Sequence, residues 1–294
     1  MCAPFAAAAA VGTVAFALWG TQGDASDNAS RPMADTRPNT AAAGVPQASV
    51  GDKDNPATWR LPVEAYIPAR TEARMVSGVR DDLIDECMGK AGYEKWEPAP
   101  DLPDLSGESL TDRRYGIHDA ELTAIRGYHP DAALQEAYDA ALEVGAVDTS
   151  GSDPEALRGC VQAADGEAPD TQTDELVQQI DGDSYTESMK DPAVVAAFAN
   201  WSSCMNDKGY AYKTPLEPLE DPRFSHPTDV IESEITTAKA DLDCRTRFDV
   251  TRTWFDAEAK IQQAQVQKNL TALNEVKAEN RSVVAQSAAI AGAR

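Results

Sequence analysis

The chain of 294 residues leaves room for one large domain or two small ones, each able to bury a core. Its 26 Lys and Arg stand against 49 Asp and Glu, a net charge of −23. That sign repels phosphate backbones and anionic lipid, so a general nucleic-acid role is excluded and docking on acidic membranes disfavoured, while solubility or a cationic partner is favoured.

From Cys2 to Gly20 the chain is uncharged and dominated by alanine, with Phe5, Val11, Val14, Phe16, Leu18 and Trp19. Gly23 and Ala25 put small residues at the −3 and −1 positions of a cleavage before Ser26. Residues 1–25 are therefore expected to be a signal peptide, or else a membrane anchor through residues 2–20. Either places the protein outside the cytoplasm, secreted or in the cell envelope. No Lys or Arg precedes the apolar run, and Cys2 has no lipobox before it. Residues 26–60 are small, polar and punctuated by proline, which predicts a disordered linker.

Order is expected from LPVEAYIPA at 61–69. A helix follows, with Met75, Val79, Leu83 and Cys87 on one stripe and Ile84 and Met88 beside it. After a proline-rich loop come a short helix inside RYGIHDAELTAIRGYHPD at 114–131 and a helix over 131–144 with Leu134, Tyr138 and Leu142 on one face. Asp153-Pro154 and Asp191-Pro192 each read as an N-cap with proline at the first helical position. The helix after Asp191 carries Val194, Phe198, Trp201 and Met205 as its stripe. From about Thr228 to about Ala289 no glycine or proline interrupts helix-favouring sequence, with Ile231, Ile235 and Leu242 expected to face inward. If unbroken, the stretch from Thr228 to Ala278 would be about 75 Å long. Residues beyond Ile261 are expected to project and dock on another chain, with Val266, Leu270 and Leu273 starting a short heptad seam. No segment alternates as a strand does. The predicted fold is all-α, two disulfide-clamped helical repeats over 61–190 and 191–294, the second ending in a long C-terminal helix.

The repeats are marked by CMGKAGY at 87–93 and CMNDKGY at 204–210. In each, glycine suits the left-handed residue that ends a helix, which pairs Tyr93 with Met88 around Gly92 and Tyr210 with Met205 around Gly209. Without the leader four cysteines remain: Cys87, Cys160, Cys204 and Cys244. An even number in an exported chain predicts two disulfides, with three connectivities open. Repetition favours Cys87–Cys160 and Cys204–Cys244. The competing reading is thiolate chemistry or zinc, but no two cysteines have the close spacing of zinc ligands.

LPVEAYIPA, the helix ending CMxxxGY, RYG…GYHP, the second CMxxxGY and the terminal helix entered through ADLDC carry a resemblance over roughly residues 60–280. They resemble a family of secreted or lipid-anchored proteins of high-GC actinobacteria. The resemblance implies export and an envelope setting and transfers no catalytic residue. The missing lipobox and basic leader depart from many such proteins.

Candidate chemistry is sparse. The histidines are His118, His129 and His226. His118-Asp119 could form half of an acid–base or metal site, whereas His129 and His226 each precede proline in loops. DGDSYTE at 181–187 opens like a calcium loop, but Thr186 stands at the sixth position and Pro192 at the twelfth, which excludes an EF-hand. No GxSxG, phosphate loop or HExxH occurs. The expectation is an exported, non-catalytic protein without cofactor or metal, binding an envelope protein or wall component through a helical surface. Nucleic acid is excluded as a partner, and weak self-association through the C-terminal helix is expected. The alternative is a secreted hydrolase with its site at His118 and Asp119. The two are told apart by whether a histidine meets carboxylates in a concave pocket.

Overall fold

Aspartates set the helix starts. Asp119, Asp153, Asp174 and Asp191 each offer a side-chain oxygen to backbone N–H groups of the turn that follows. Pro154 and Pro192 occupy a first-turn position where no N–H is missed. Such caps are worth about 1 kcal/mol each over alanine. The structure is a computed structural model and describes residues 44–145, 151–169, 171, 173–226 and 228–293. Its helices are α1 (Arg70–Lys90), α2 (Ala120–Arg126), α3 (Ala132–Gly145), α4 (Pro154–Glu167), α5 (Glu175–Ser188), α6 (Pro192–Asp207), α7 (Glu232–Arg247), α8 (Val250–Lys268) and α9 (Leu270–Ala293). Short 3-10 turns lie at Pro56–Thr58, Pro62–Tyr66 and Pro222–Phe224. Among the described residues there is no strand, only one antiparallel bridge between Ser49 and Arg60. The fold is all-α.

α8 is the central element, packed against α5, α6 and the Pro62–Tyr66 turn. Its Trp254 ring lies 5.0 Å from Tyr185, 5.1 Å from Phe198 and 5.5 Å from Tyr115. Trp59, Leu61, Trp201, Met205 and Phe255 complete this core. A separate apolar cluster of Ile84, Met88, Cys160 and Ala164 joins α1 to α4, and Ile117, Tyr128, Phe224 and Ala238 form a third.

Disulfides clamp these clusters. Cys87–Cys160 ties α1 to α4, and Cys204–Cys244 ties α6 to α7. Closing loops of 73 and 40 residues constrains the unfolded chain by about 4 kcal/mol each in the chain-entropy model. Beside each first cysteine the helix ends in a Schellman pattern. Gly92 N donates to Gly89 O and Tyr93 N to Met88 O, while Gly209 N donates to Asn206 O and Tyr210 N to Met205 O. Gly209 sits at φ +91° with no atom within 4 Å of where a Cβ would stand. A Gly209→Val change therefore meets only backbone strain, and it is expected to lower stability by about 1–2 kcal/mol. Urea denaturation would check this, and an unchanged midpoint would contradict the cap.

Several expectations are corrected. Order begins before residue 61: Ser49 pairs with Arg60, and Trp59 is 1% exposed with its Nε1 donating to Asp52 O at 2.7 Å. The expected linker over 26–60 thus includes folded chain from residue 44. Residues 26–43 and the leader 1–25 lie outside the described residues. No helix among the described residues is long and apolar enough to cross a membrane. The anchoring segment expected at residues 2–20 therefore finds no support and is withdrawn; those residues lie outside the description. The two repeats pack on one another, α1 on α9, α2 on α7 and α5 on α8.

The expected long C-terminal helix is α9, and the helix-favouring stretch from Thr228 is three helices instead of one. It breaks at Asp249, which adopts a left-handed φ of +49°, and again at Asn269, the C-cap of α8. α9 then lies on α1 and the Pro62–Tyr66 turn instead of projecting. Leu273 is fully buried, Asn280 Nδ2 donates to Tyr66 O at 3.1 Å, and Gln286 Nε2 donates to Glu167 O. On α7, Ile231 is exposed as the N-cap, and the buried face carries Glu234, Thr237, Asp241 and Arg245.

Candidate functional site

Tyr115, Gly116 and Ile117 are buried, and they bring the chain out of the core at His118. Asp119 then caps α2, so the histidine stands at the junction between a pinned segment and a helix start. It lines a cleft of about 320 Å³ together with Glu108, Asp112, Arg113, Asp119 and Asp131. The partner of His118 is Asp112, six residues upstream: Nε2 lies 2.6 Å from Asp112 Oδ1. The other oxygen of Asp112 accepts the Glu108 N–H at 2.6 Å. Burial pushes the Asp112 carboxyl up, but the hydrogen bonds from His118 and the Glu108 amide outweigh it and hold the acid below its ordinary range. An ionised Asp112 requires Nε2 to carry the proton, which leaves Nδ1 as the basic nitrogen when the ring is neutral.

Asp119 does not join this pair. Its Oδ1 accepts the Glu121 and Leu122 N–H groups at 2.8 and 2.9 Å, and Asp131 likewise caps α3 through Ala133 and Leu134. Arg113 lines the cleft but donates to the Tyr128 and His129 carbonyls. Ser109 and Thr111 bond each other, and Thr111 donates to the Pro56 and Trp59 carbonyls. No hydroxyl or thiol hydrogen-bonds His118 among the described residues. A reaction here would use water.

The other histidines take structural positions. His129 Nε2 lies 3.3 Å from Glu234 Oε2, and the buried Glu234 also accepts the Tyr128 N–H. His226 is exposed, with Thr228 Oγ1 at 3.5 Å from its Nδ1. Ligand atoms of Cys204, Asp243 and Cys244 lie within 4.8 Å of one another. Both sulfurs are spent in a disulfide, however, and Asp243 pairs with Lys208 at 2.9 Å. Metals bind thiolate, so the cluster is a clamp while that bond is intact.

In the core lie two buried ion pairs that composition concealed. Arg114 holds Glu258 through Nη2 at 2.6 Å and Nε at 3.0 Å, and reaches Asp181 at 2.9 Å. Tyr115 Oη, Gln262 Nε2 and Ser184 Oγ also donate to the Glu258 carboxylate. Burial would lower the Arg114 guanidinium, yet Glu258 holds it above its ordinary value. Asp181 and Ser184, which opened the calcium-like stretch, are therefore parts of a core network in α5. In the second pair, Arg245 Nε meets Asp241 Oδ1 at 2.6 Å, and Trp201 Nε1 donates to the same oxygen at 2.7 Å.

Comparison with known protein families, with characterised proteins and with solved structures returns no match to this chain.

Proposed function

We propose that the protein is a hydrolase acting at the His118–Asp112 cleft, with His118 as general base for a water molecule. The observation that supports this is the 2.6 Å contact between Nε2 and a carboxylate in a concave site. A carboxylate in that position fixes the tautomer and stabilises the imidazolium formed on proton uptake, the role played by the aspartate of a catalytic triad. Asp112 replaces Asp119 in this role, and Asp119 serves α2. The two disulfides support an exported setting, since such bonds persist in oxidising compartments. Kinship with the actinobacterial secreted family stays part of this proposal.

The test is turnover of chromogenic ester, amide, phosphoester and glycoside substrates by the full chain and by His118→Gln and Asp112→Asn. Both variants are expected to lose kcat by about 10²–10⁴-fold, the usual weight of a positioned base and its orienting acid. No turnover by the parent across the panel, or unchanged kcat in His118→Gln, returns the reading to a non-catalytic binding protein. Asp112→Asn carries its own pH signature. The folded pKa of Asp112 is depressed, so its contribution to stability is present above the unfolded carboxylate value of about 4 and disappears as pH falls through the folded one. The melting difference between parent and variant is expected to close at acid pH.

A further inference from the structure

A second cleft, of about 340 Å³, opens between the Pro62–Tyr66 turn and α9, away from His118. Its walls are apolar: Tyr66, Ile67 and Pro68 on one side and Val284 on the other. Two cations, Lys277 and Arg281, lie one helical turn apart along α9 and line the same cleft. No carboxylate lies within ion-pair distance of either among the described residues, although acids outnumber bases almost two to one in the chain. Lys277 Nζ sits 5.6 Å from the Tyr66 ring centre, its positive charge over the ring. Glu72, the acid on the lining, accepts the Ala69 N–H as part of the α1 start.

We infer that this cleft binds a free carboxylate amphiphile, one molecule with its headgroup on Lys277 and Arg281 and its chain along Tyr66, Ile67, Pro68 and Val284. Charge complementarity selects the head: unpaired cations in a strongly acidic protein present a local positive site, and a guanidinium binds carboxylate through paired N–H donors. The apolar walls select the tail, and the volume falls at the small end of ligand pockets, suited to one short chain. A net charge of −23 disfavours an anionic bilayer as the source, so the ligand is a dissolved monomer.

Calorimetric titration of the full chain with decanoate, 1-decanol, acetate and phosphatidylglycerol vesicles tests this. Decanoate is expected to bind saturably and one to one, with decanol and acetate each weaker by about tenfold or more, the loss of one charge-assisted contact or of the chain. Arg281→Gln and Lys277→Gln are each expected to weaken decanoate by about tenfold, Arg281→Gln without moving the melting temperature. Arg281 is exposed, so its variant tests the site even if Lys277→Gln disturbs the Tyr66 contact. Absent decanoate binding, equal affinity for decanol, affinity unchanged in Arg281→Gln, or binding to vesicles alone would each overturn the assignment.

Discussion

Arg245→Ala is expected to destabilise the protein by about 3–5 kcal/mol, the cost of leaving one member of a buried ion pair without its partner. Arg245 is 2% exposed and Asp241 is fully buried. The guanidinium holds Asp241 Oδ1 through Nε and also donates to the Tyr115 and Pro215 carbonyls. It thereby fastens α7 to the segment that presents His118 and to the loop after α6. Gly116 is shaped by this contact: at φ +110° a Cβ would stand 2.5 Å from Arg245 Nη1. Truncation to alanine leaves Asp241 with the Trp201 N–H and strands two carbonyls.

The pH dependence has a definite sign. Burial raises the Asp241 pKa, with Arg245 working against it, so a raised folded value means the native state takes up its proton more readily than the unfolded chain. Stability from this group then rises as pH falls, and more so once Arg245 is gone. The deficit of Arg245→Ala relative to the parent should shrink toward acid pH. A matched Asp241→Leu, Arg245→Met double variant should recover most of the loss, because replacing both charges removes the desolvation penalty with the attraction. Urea denaturation of the single and double variants at neutral and acid pH measures all of this. A single variant within 1 kcal/mol of the parent would show the pair to be exposed in solution.

Helix positions and cysteine pairing were legible because they rest on local rules. Asp-Pro announces a helix start wherever it occurs, and the two CMxxxGY stretches repeat one termination pattern beside one cysteine. Long-range packing was not legible. Trp59 lies in a polar, proline-punctuated stretch, and nothing within that window says that Phe255 waits 4.9 Å from its ring. On α7, Leu242 packs on the third cluster as expected, but Ile231 is exposed, and the buried Glu234, Asp241 and Arg245 were missed because periodicity counts only apolar residues. Asp241 and Arg245 stand at i and i+4, a spacing equally common on solvated faces. The site was half visible. His118 stood out as a titratable group beside an aspartate, but the neighbour in sequence caps a helix, and the carboxylate that bonds the ring comes from the preceding loop. The break at Asn269 had no glycine or proline to announce it.

Truncation after Lys268 is expected to abolish cooperative unfolding, because α9 closes the fold instead of extending from it. α1 is covered by α4 on one side and α9 on another, and the Pro62–Tyr66 turn also rests on α9. Losing the helix uncovers α1 and removes Leu273, a core residue. It also frees the Tyr66 carbonyl held by Asn280 and the Glu167 carbonyl held by Gln286. A fully buried leucine alone is worth about 1.5–3 kcal/mol, and a domain's whole stability is about 5–15 kcal/mol. The disulfides survive the deletion, since no cysteine lies beyond Cys244, yet Cys87–Cys160 would then staple α1 to α4 with α1 unsupported on its α9 side. A point variant separates packing from chain length: Leu273→Ala should cost about 2–5 kcal/mol, the range for a buried leucine that leaves a cavity. Circular dichroism melts of the parent, Leu273→Ala and the truncated chain, all oxidised, decide the matter. A truncated chain that melts like the parent would mean that α9 leaves the body in solution, and with it one wall of the Lys277–Arg281 cleft.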